Sequence, residues 1–586
     1  MSKHRPYYDL SRTLYERESL VPRDDVPPPR NNFDHLYHRK EVIDAYMQAQ
    51  NERMTNIEGR LTAAENINAT QDATLSDHEN RIQALEQGGG GGASFPIYPV
   101  NRYGAVGDGT APDEGPAIQA AIDVAGSAGG GIVFIPEGIY NLQSTLYIRP
   151  GVRLVMARGA VLRRNSSNLD GMIRPTGDYS GYLGVSNWGI EGGVIDASSF
   201  YETPCLPIGM SHGEGVVIRD VHIRSVLGMP AIWINAMKRV RIQNVTCTGY
   251  IPDVNNSEYY AIFLSAAITD SANVGFYPFS GSRDGTSCED IVVEGCHIDG
   301  WRGGVGGESC VAGVYHRDIR IVNNLVQNTS FCGIKVGSFQ GLTIAGNELH
   351  QVGMGIEVNS GGVAGQENNS ASAAIIGNII RGTTDVTYGY GVWLNEKGTK
   401  FVENSVVSGN VIDGAVGAGI YVQGSPFNNI INNHVTNSGE RGIYINGSSN
   451  CSVQGNMIRN AGHMGIGVAN SNYCSVTGNY VTRCAGYAIY LSGSIHCLIN
   501  ANMTYDNRLN SSIATVDAEI AVASNADYCA FLNNVTRSPI NTRGVDMTST
   551  VDNPYLIGND CRLDTGAKTT IVGGTGTDKT STNYAN

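Results

Sequence analysis

The chain has 586 residues, of which 74 are glycine and 8% are aromatic, and its formal net charge is −14. This charge argues against nucleic acid or an anionic membrane surface as the main partner, although an acidic polymer can still bind at a local basic patch. No apolar stretch reaches the length of a signal-sequence core or a membrane span, so we expect synthesis in a cytoplasm and no membrane insertion.

Residues 1–40 are polar and rich in proline, with Val26-Pro27-Pro28-Pro29 as the clearest run and tyrosines distributed along the segment. They carry too little apolar surface to form a core of their own. The segment is expected either to stay disordered or to fold when it docks on a partner. The interspersed tyrosines favour docking.

Residues 41–87 carry a heptad pattern. Oppositely charged residues such as Arg53 and Glu58 fall at position g and the following e, where they face each other across a helix interface. The a positions are Met47, Met54, Leu61, Asn68, Leu75 and Ile82, and the d positions are Gln50, Ile57, Ala64, Gln71, His78 and Leu85. The pattern predicts a parallel coiled coil, and therefore an oligomer, followed by a flexible Gly-rich linker at residues 88–94.

Residues 95–164 contain three motifs in a fixed order. They are Tyr103-Gly104-Ala105-Val106-Gly107-Asp108-Gly109-Thr110, then Ala117-Ile118-Gln119-Ala120-Ala121-Ile122, then Gly129-Gly130-Gly131-Ile132-Val133-Phe134-Ile135-Pro136-Glu137-Gly138-Ile139-Tyr140. Together they resemble the start of the pectate-lyase-like β-helix superfamily. The resemblance implies a short helix that caps the first coil, because the end of a solenoid needs an apolar plug. It implies little about chemistry.

Residues 165–560 are expected to form the body of the protein. Five asparagines recur there every 23 residues, namely Asn410, Asn433, Asn456, Asn479 and Asn502. Each period holds three short apolar runs separated by Gly, Asn and Ser, which predicts a right-handed parallel β-helix with three strands per coil. A leucine-rich repeat has a similar period, but its leucine framework is absent because Ile and Val dominate these rows.

Two further rows keep the same spacing. One is formed by Ile420, Ile443, Ile466 and Ile489, and the other by Cys451, Cys474, Cys497 and Cys529. The isoleucines are expected to stack inward, because identical strand positions lie ~4.8 Å apart in successive coils. The cysteines are expected to be small buried thiols, with disulfides between adjacent coils as the alternative. Cysteine and histidine otherwise show no metal-ligand spacing, so neither a metal nor a cofactor is expected.

This combination of docking segment, coiled coil, cap and β-helix resembles bacteriophage tailspikes and appendage depolymerases. The resemblance implies a homotrimer in the virion, attached through its N-terminus to a tail or baseplate component, that contacts a host surface polysaccharide. Residues 561–586 depart from the pattern, because they form only a short tail where many tailspikes carry a separate trimerising or binding domain.

The coils between about residues 250 and 404 carry insertions, and loops on a rigid stack build the walls of grooves, so the functional site is expected there. Aligning the Gly-Ile-x-Val strand through all coils predicts one outward column of side chains. Its members are Trp233, Phe263, Gly306, Lys335, Glu357, Trp393, Tyr421, Tyr444, Gly467 and Tyr490. An exposed aromatic row suits the faces of sugars, but it also suits an interface between protomers, and both interpretations stay open.

Two charged residues, Lys335 and Glu357, interrupt this column, and Glu308 lies two residues beyond it. Glu308 and Glu357 come from coils two apart, so their backbones are expected ~10 Å apart. Leaning side chains would then reach the separation of about 6.5–9.5 Å that inverting glycoside hydrolysis requires. We expect Glu357, beside Lys335, to be the base and Glu308 the acid. Ordinary solvated charges are the plain alternative.

The preceding strand supplies a row of further candidates. Its members are Asp299, Gln327, His350 and Arg381. Asp299 is the reserve catalytic carboxylate, and His350 is a candidate proton carrier. Arg381, with Lys335 and His350, is expected to contact substrate, as is Glu396 near Trp393.

These residues favour an endo-acting glycoside hydrolase that depolymerises a host surface polysaccharide. A non-catalytic receptor-binding spike is the first alternative. A polysaccharide lyase is the second, because Lys335 and Arg381 could neutralise a uronate, although no acidic cluster supports a calcium-dependent lyase. Cleavage of wall teichoic acid is also open. Neither the polysaccharide nor the host is predicted.

Overall fold

The computed structural model describes residues 96–586 apart from short gaps. The gaps are residues 178, 199–202, 254–259, 269–281, 363–364, 511, 513–517, 524, 539–540, 542, 548–550, 552, 562–578 and 582–586. The predicted docking segment at 1–40, coiled coil at 41–87 and linker at 88–94 lie outside the described residues. Within the described part, no helix has both the length and the apolar character that a membrane crossing needs.

Two short helices close the first coil. They are a 3-10 helix, Val100–Tyr103, and an α-helix, α1, Gly115–Ser127. Ile118 and Ile122 of α1 are fully buried against the first strands. The carboxylate of Glu114, just before α1, accepts the backbone N–H groups of residues 106 and 107 at 2.8 and 2.9 Å. The predicted helical cap is therefore confirmed.

The body consists of three parallel sheets, A, B and C, to which the chain contributes strands in turn. Over the described ranges sheet A has 19 strands and sheets B and C have 15 each. The strands of sheet A are Ile97–Pro99, Gly131–Ile135, Val152–Met156, Gly189–Glu191, Glu214–Arg219, Lys238–Gln243, Glu289–Glu294, His316–Val322, Phe339–Ala345, Ser370–Ile376, Val402–Glu403, Val406–Ser408, Asn429–Ile431, Ser452–Gln454, Ser475–Thr477, Leu498–Asn500, Ala530–Leu532, Tyr555–Ile557 and Lys579–Ser581.

Sheet B follows sheet A in each coil, and sheet C follows sheet B. The strands of sheet B are Gly138–Leu142, Ala160–Arg164, Val194–Asp196, His222–Arg224, Thr246–Thr248, His297–Asp299, Leu325–Gln327, Glu348–Val352, Ile379–Thr383, Val411–Asp413, His434–Thr436, Met457–Arg459, Tyr480–Thr482, Met503–Tyr505 and Val535–Arg537. The strands of sheet C are Leu146–Ile148, Gly171–Pro175, Leu206–Ser211, Ile232–Asn235, Tyr260–Ser265, Gly303–Ser309, Cys332–Gly337, Met354–Asn359, Val392–Asn395, Ile420–Gln423, Ile443–Asn446, Ile466–Ala469, Ile489–Ser492, Ala518–Val522 and Arg543–Met547.

Each strand pairs in parallel with the strand one coil later, as Ile420 does with Ile443. The fold is the predicted right-handed parallel β-helix. The isoleucine row points into the core and is fully buried, because alternate strand residues face inward and pack on the same residue type one coil away.

The asparagine row forms a hydrogen-bonded ladder inside the turn between sheets A and B. The side-chain amide of Asn456 donates to the carbonyl of Ile430 at 2.9 Å and to Oδ1 of Asn479 at 3.0 Å. Its own Oδ1 accepts the backbone and side-chain N–H groups of Asn433, both at 2.9 Å. The row extends beyond the five predicted members, from Asn324 to Asn559. It satisfies backbone groups that the turn would otherwise bury without partners.

The cysteine row is a stack of buried thiols without disulfides. All 12 cysteines of the chain are free and buried. The thiol of Cys474 donates to the carbonyl of Ser448 at 3.3 Å, and that of Cys497 donates to the carbonyl of Ser471 at 3.3 Å. The interpretation as inert thiols is therefore confirmed, and the disulfide alternative is not realised.

Candidate functional site

The outward column on sheet C has the register that the sequence alignment predicts. Each member lies directly opposite the next in the adjacent strand, and the insertions between coils do not shift this register. The paired positions run Trp233, Phe263, Gly306, Lys335, Glu357, Trp393, Tyr421, Tyr444, Gly467 and Tyr490. The column is therefore one continuous line along the solenoid axis.

The expectation that this whole column is exposed is wrong. Trp233, Lys335 and Glu357 retain only 6%, 5% and 3% of their accessible surface. Trp233 is covered because its ring packs 5.3 Å from that of Phe263 and its indole N–H donates to the hydroxyl of Ser265 at 2.7 Å. Neighbouring side chains thus cover the first half of the column.

Tyr260 covers the stretch that two glycines leave open. A Cβ at Gly303 or Gly306 would clash with the ring of Tyr260, which is 2% exposed and stacks 5.9 Å from Phe263. Tyr260 also packs on Cys332 and the side chain of residue 354. The glycines are needed here because they make room for an aromatic ring on the outer face of the sheet.

Lys335 and Glu357 form a buried ion pair. Nζ of Lys335 lies 3.6 Å from Oε2 of Glu357 and 5.0 Å from the centre of the Phe331 ring. Oε1 of Glu357 accepts hydrogen bonds from the side-chain amides of Asn359 at 3.1 Å and Asn395 at 2.9 Å. Because a buried charge is costly unless it is paired and hydrogen-bonded, these contacts fix the carboxylate in one orientation.

An aromatic stack adjoins this ion pair on its C-terminal side. Trp393 and Tyr421 are parallel within 2° at a centroid distance of 6.1 Å, and Tyr421 and Tyr444 lie 5.2 Å apart. Carbon atoms in contact lie only about 3.5–4.0 Å apart, so rings at these distances are offset, and each covers only part of the next face. All three side chains are partly exposed. The guanidinium of Arg441 lies 4.1 Å from the centre of the Tyr444 ring and closes that end.

Two tyrosines from an insertion enlarge the stack. The ring of Tyr388 lies parallel to Trp393 at 5.8 Å, and the ring of Tyr390 packs edge-on against Trp393 and Tyr421 at 5.0 and 5.1 Å. Burial raises the pKa of Tyr390 to about 12, and burial also raises the pKa of Tyr421. Both hydroxyls therefore stay protonated at neutral pH and can donate hydrogen bonds.

Glu396 lies beside this stack. Its carboxylate occupies the space where a side chain at Gly424 would otherwise stand, and its charge contributes to the raised pKa of Tyr421 after burial and Tyr444. Glu396 is half-buried, so it combines an accessible carboxylate with an aromatic platform. Glu396 follows Trp393 in the same coil, as the sequence predicts, and Tyr421 lies in the next coil.

The second predicted row lies on sheet B. Asp299, Gln327, His350 and Arg381 occupy paired positions in successive strands, as predicted. Asp299 accepts hydrogen bonds from Asn328 at 2.8 Å and Gln327 at 3.0 Å, and these bonds, first that from Asn328, lower its pKa. His350 lies 3.3 Å from Glu348. These contacts stay within sheet B, so the row forms a separate polar surface from the Lys335–Glu357 pair.

Glu308 belongs to the strand Gly303–Ser309, two strands before the strand of Glu357 in sheet C. Two strand spacings of about 4.8 Å separate the two strands by about 10 Å. In the intervening strand the residue opposite Glu357 is Lys335, which pairs in turn with Gly306, two residues before Glu308. The side chain of Glu308 is outside the described residues.

Two family models match parts of the chain. One is described as "Periplasmic copper-binding protein (NosD)" and matches residues 357–560, and the other as "Rhamnogalacturonase A/epimerase, pectate lyase-like" and matches residues 97–173. The second match covers the capping motifs. The first names a metal, but the described residues contain no group of three or more His, Cys, Asp or Glu able to hold one, and the thiols of this span donate to backbone carbonyls. The residues present do not fit a copper ion.

Curated relatives match only parts of the chain. Plasmin and fibronectin-binding protein A of Streptococcus pneumoniae is 26% identical over 281 residues, which are 43% of this chain and 38% of that protein. Mannuronan C5-epimerase AlgE3 of Azotobacter vinelandii is 30% identical over 148 residues, 22% of this chain and 8% of that protein. The chain thus spans well under half the length of these relatives.

Solved structures of bacteriophage proteins share the fold. The pre-mature gene product 12 of bacteriophage phi29 superposes with a TM-score of 0.50 at 14% identity, covering 79% of this chain and 66% of that one. The tailspike protein of E. coli bacteriophage HK620, solved with a pentasaccharide, gives a TM-score of 0.46 at 12% identity, covering 82% and 78%. The similarity to gene product 12 is one of fold.

Sequence reasoning missed the residues that cover and orient the charged pair. Asn359 and Asn395 hold Glu357, and the ring of Phe331 lies against Lys335. The two asparagines lie two positions after the column in their own strands, on the same outer face, and this spacing could have revealed them. Nothing in the sequence places Phe331, a turn residue, over Lys335.

Proposed function

We propose that this chain is a bacteriophage tail spike that binds and depolymerises a host surface polysaccharide. The observation that carries the proposal is the offset stack of Trp393, Tyr421 and Tyr444 on the outer face of sheet C, beside a fixed carboxylate. Aromatic faces at coil spacing suit the C–H faces of successive sugars. The similarity of the cap to a pectate-lyase-like model, and of part of the coils to a mannuronan epimerase, supports a polysaccharide ligand.

The stack and the carboxylate define a direction for the bound chain. A polysaccharide that lies along the axis contacts Tyr444, Tyr421 and Trp393 in turn and then reaches the Lys335–Glu357 pair. The protonated hydroxyls of Tyr390 and Tyr421 and the carboxylate of Glu396 flank this path. They supply the hydrogen bonds that fix the orientation of a sugar, while the rings supply the contact area.

In the proposed reaction Glu357 is the base and Glu308 the acid of an inverting glycoside hydrolase. Asn359 and Asn395 occupy Oε1 of Glu357, so Oε2 is the oxygen that faces Lys335 and would accept the proton of water. Glu308 protonates the leaving oxygen, and the bond between that oxygen and the anomeric carbon breaks as water attacks from the opposite face. Asp299 remains the reserve carboxylate on sheet B.

The burial of Glu357 favours a second candidate, a spike that binds polysaccharide without cleaving it. A carboxylate with 3% exposure reaches substrate only if the side chains that cover it move aside. In this alternative the Lys335–Glu357 pair only holds the outer face together, and the aromatic stack is the whole of the site. The similarity to a plasmin- and fibronectin-binding protein also fits a binding role.

Product analysis separates these functions. The protein is incubated with four purified polymers, namely a capsular polysaccharide, an O-antigen, a wall teichoic acid and mannuronan, and the products are sized by gel filtration. Hydrolysis gives shorter chains with new reducing ends and no absorbance near the ultraviolet band of an unsaturated uronate. A lyase adds that absorbance. Binding to a polymer whose size stays constant establishes the non-catalytic spike and refutes the hydrolase.

A further inference from the structure

A second row of aromatic rings lies at the turn between sheets C and A, one residue before the cysteine row. The positions in successive coils are Phe427, Asn450, Tyr473, His496 and Tyr528, and all but Asn450 carry an aromatic ring. The imidazole of His496 lies between the rings of Tyr473 and Tyr528, at centroid distances of 5.1 and 5.2 Å and interplanar angles of 11° and 22°. We call the residues Tyr473, His496 and Tyr528 the corner stack.

The corner stack is exposed. Tyr473 and Tyr528 keep 58% and 55% of their accessible surface, and Phe427 keeps 50%. Large rings at such exposure bury little apolar area, so the packing of the core does not account for their presence. Rings whose planes are nearly parallel at these distances are also offset, which leaves part of each face open to solvent.

The backbone at this row makes the rings more unexpected. Every described member has φ between 55° and 59°, the left-handed region, and the equivalent positions in flanking coils are Asn404 and Asn553 at 52° and 50°. Asparagine tolerates this conformation, whereas a bulky side chain is strained by it. Asparagine occupies this position in three coils and fits its backbone better than an aromatic residue does. The other coils carry rings there despite this strain.

The rings of the two rows complement each other along the axis. The sheet C column has no ring at Gly467 or at Ala521, and the corner row of those same coils carries Tyr473 and Tyr528. The coil of Tyr444 instead has Asn450 at the corner. Each coil from Trp393 to Tyr528 therefore presents at least one aromatic ring on sheet C or at the corner that follows it.

The geometry points to a second saccharide-binding surface at the corner stack, which extends the polymer path beyond the aromatic column of sheet C. This inference rests on the proposed polysaccharide function. Rings repeated at coil spacing suit a polymer whose units repeat along the axis.

The test replaces the two tyrosines with the residue that their backbone prefers. In Tyr473→Asn/Tyr528→Asn the new side chains match Asn450 and Asn553, so the melting temperature is expected to stay the same or rise. Affinity for the capsular polysaccharide, O-antigen, teichoic acid and mannuronan is measured by affinity electrophoresis. The double variant is expected to bind the polymer that wild type binds about tenfold more weakly, the loss of two stacking contacts. Tyr473→Trp/Tyr528→Trp keeps the rings and is expected to bind at least as well as wild type.

Each other outcome overturns the inference in a distinguishable way. If Trp393→Ala weakens binding and the asparagine double variant does not, the column on sheet C is the site and the corner stack is not part of it. If wild type binds none of the four polymers, the proposed function fails and this inference fails with it. If the double variant has a lower mass than wild type in light scattering, the corner stack is an interface between copies of the chain.

Discussion

The buried asparagine ladder predicts a large and local loss of stability when one member is removed. In Asn456→Ala the four hydrogen bonds of the Asn456 side chain disappear, two donated to Ile430 and Asn479 and two accepted from Asn433. At about 1 kcal/mol for each buried hydrogen bond, the free energy of unfolding should fall by about 4 kcal/mol. Because Asn456 is buried, water does not replace the hydrogen bonds that its partners lose.

Hydrogen exchange measures this effect where it arises. Coils of a solenoid open locally, so the backbone amide of Asn433, which loses its acceptor, is expected to exchange roughly 10³-fold faster, the rate ratio equivalent to about 4 kcal/mol. The matched control is Gln454→Ala in the same coil, because the side chain of Gln454 is exposed and its backbone is that of a strand. The control should change stability by less than about 0.5 kcal/mol. Equal exchange rates and melting temperatures in the two variants would refute the ladder as a source of stability.

Three further predictions concern acid stability, assembly and catalysis. Burial lowers the pKa of His316 to about 4, so the native state holds this ring neutral. The free energy of unfolding should therefore fall by about 3 kcal/mol as the pH falls from 6.5, the ordinary pKa of histidine, towards 4. His316→Gln, which can still accept the amide of Cys288, should remove that part of the pH dependence in thermal melts from pH 7 to 4, and an unchanged slope would contradict it. The heptad at 41–87 predicts a trimer, so light scattering should give three times the mass of the monomer. A monomer at micromolar concentration would exclude this assembly. A fragment that begins at Ser94 should remain folded and keep its polysaccharide activity. Glu357→Gln should lower turnover by ~10²-fold or more if Glu357 is the base. Glu440→Gln, at an exposed carboxylate paired with Arg441, should leave turnover unchanged. Near-normal cleavage by Glu357→Gln with the fold intact would exclude Glu357 as the base.

The sequence predicted the solenoid and its register because both follow from periodicity. The 23-residue spacing places Asn433 on Asn456, and the alternation of buried isoleucine with outward residues carries the alignment through irregular coils to Trp233. Register depends on which residues face the core, and this information is local in each strand.

Exposure could not be predicted in the same way, because it depends on side chains from other coils and turns. Phe331 reaches Lys335 from a turn, and Tyr390 reaches Tyr421 from an insertion. The glycines in the strand of Gly306 make room for the ring of Tyr260. A glycine in an outward strand position is thus a sign of a covering aromatic ring, which sequence alone does not identify.

The outer face of sheet C at Trp393 is the proposed polysaccharide-binding surface. The most direct measurement is the Kd of Trp393→Ala for the polymer that wild type binds, with Tyr505→Ala, an exposed tyrosine on sheet B, as the matched control. Trp393 stacks with Tyr421, so its removal takes away the ring next to the carboxylate. The account predicts binding about tenfold weaker or more for Trp393→Ala and an unchanged Kd for the control. Equal affinity of Trp393→Ala, the control and wild type, with all three folded, would contradict it.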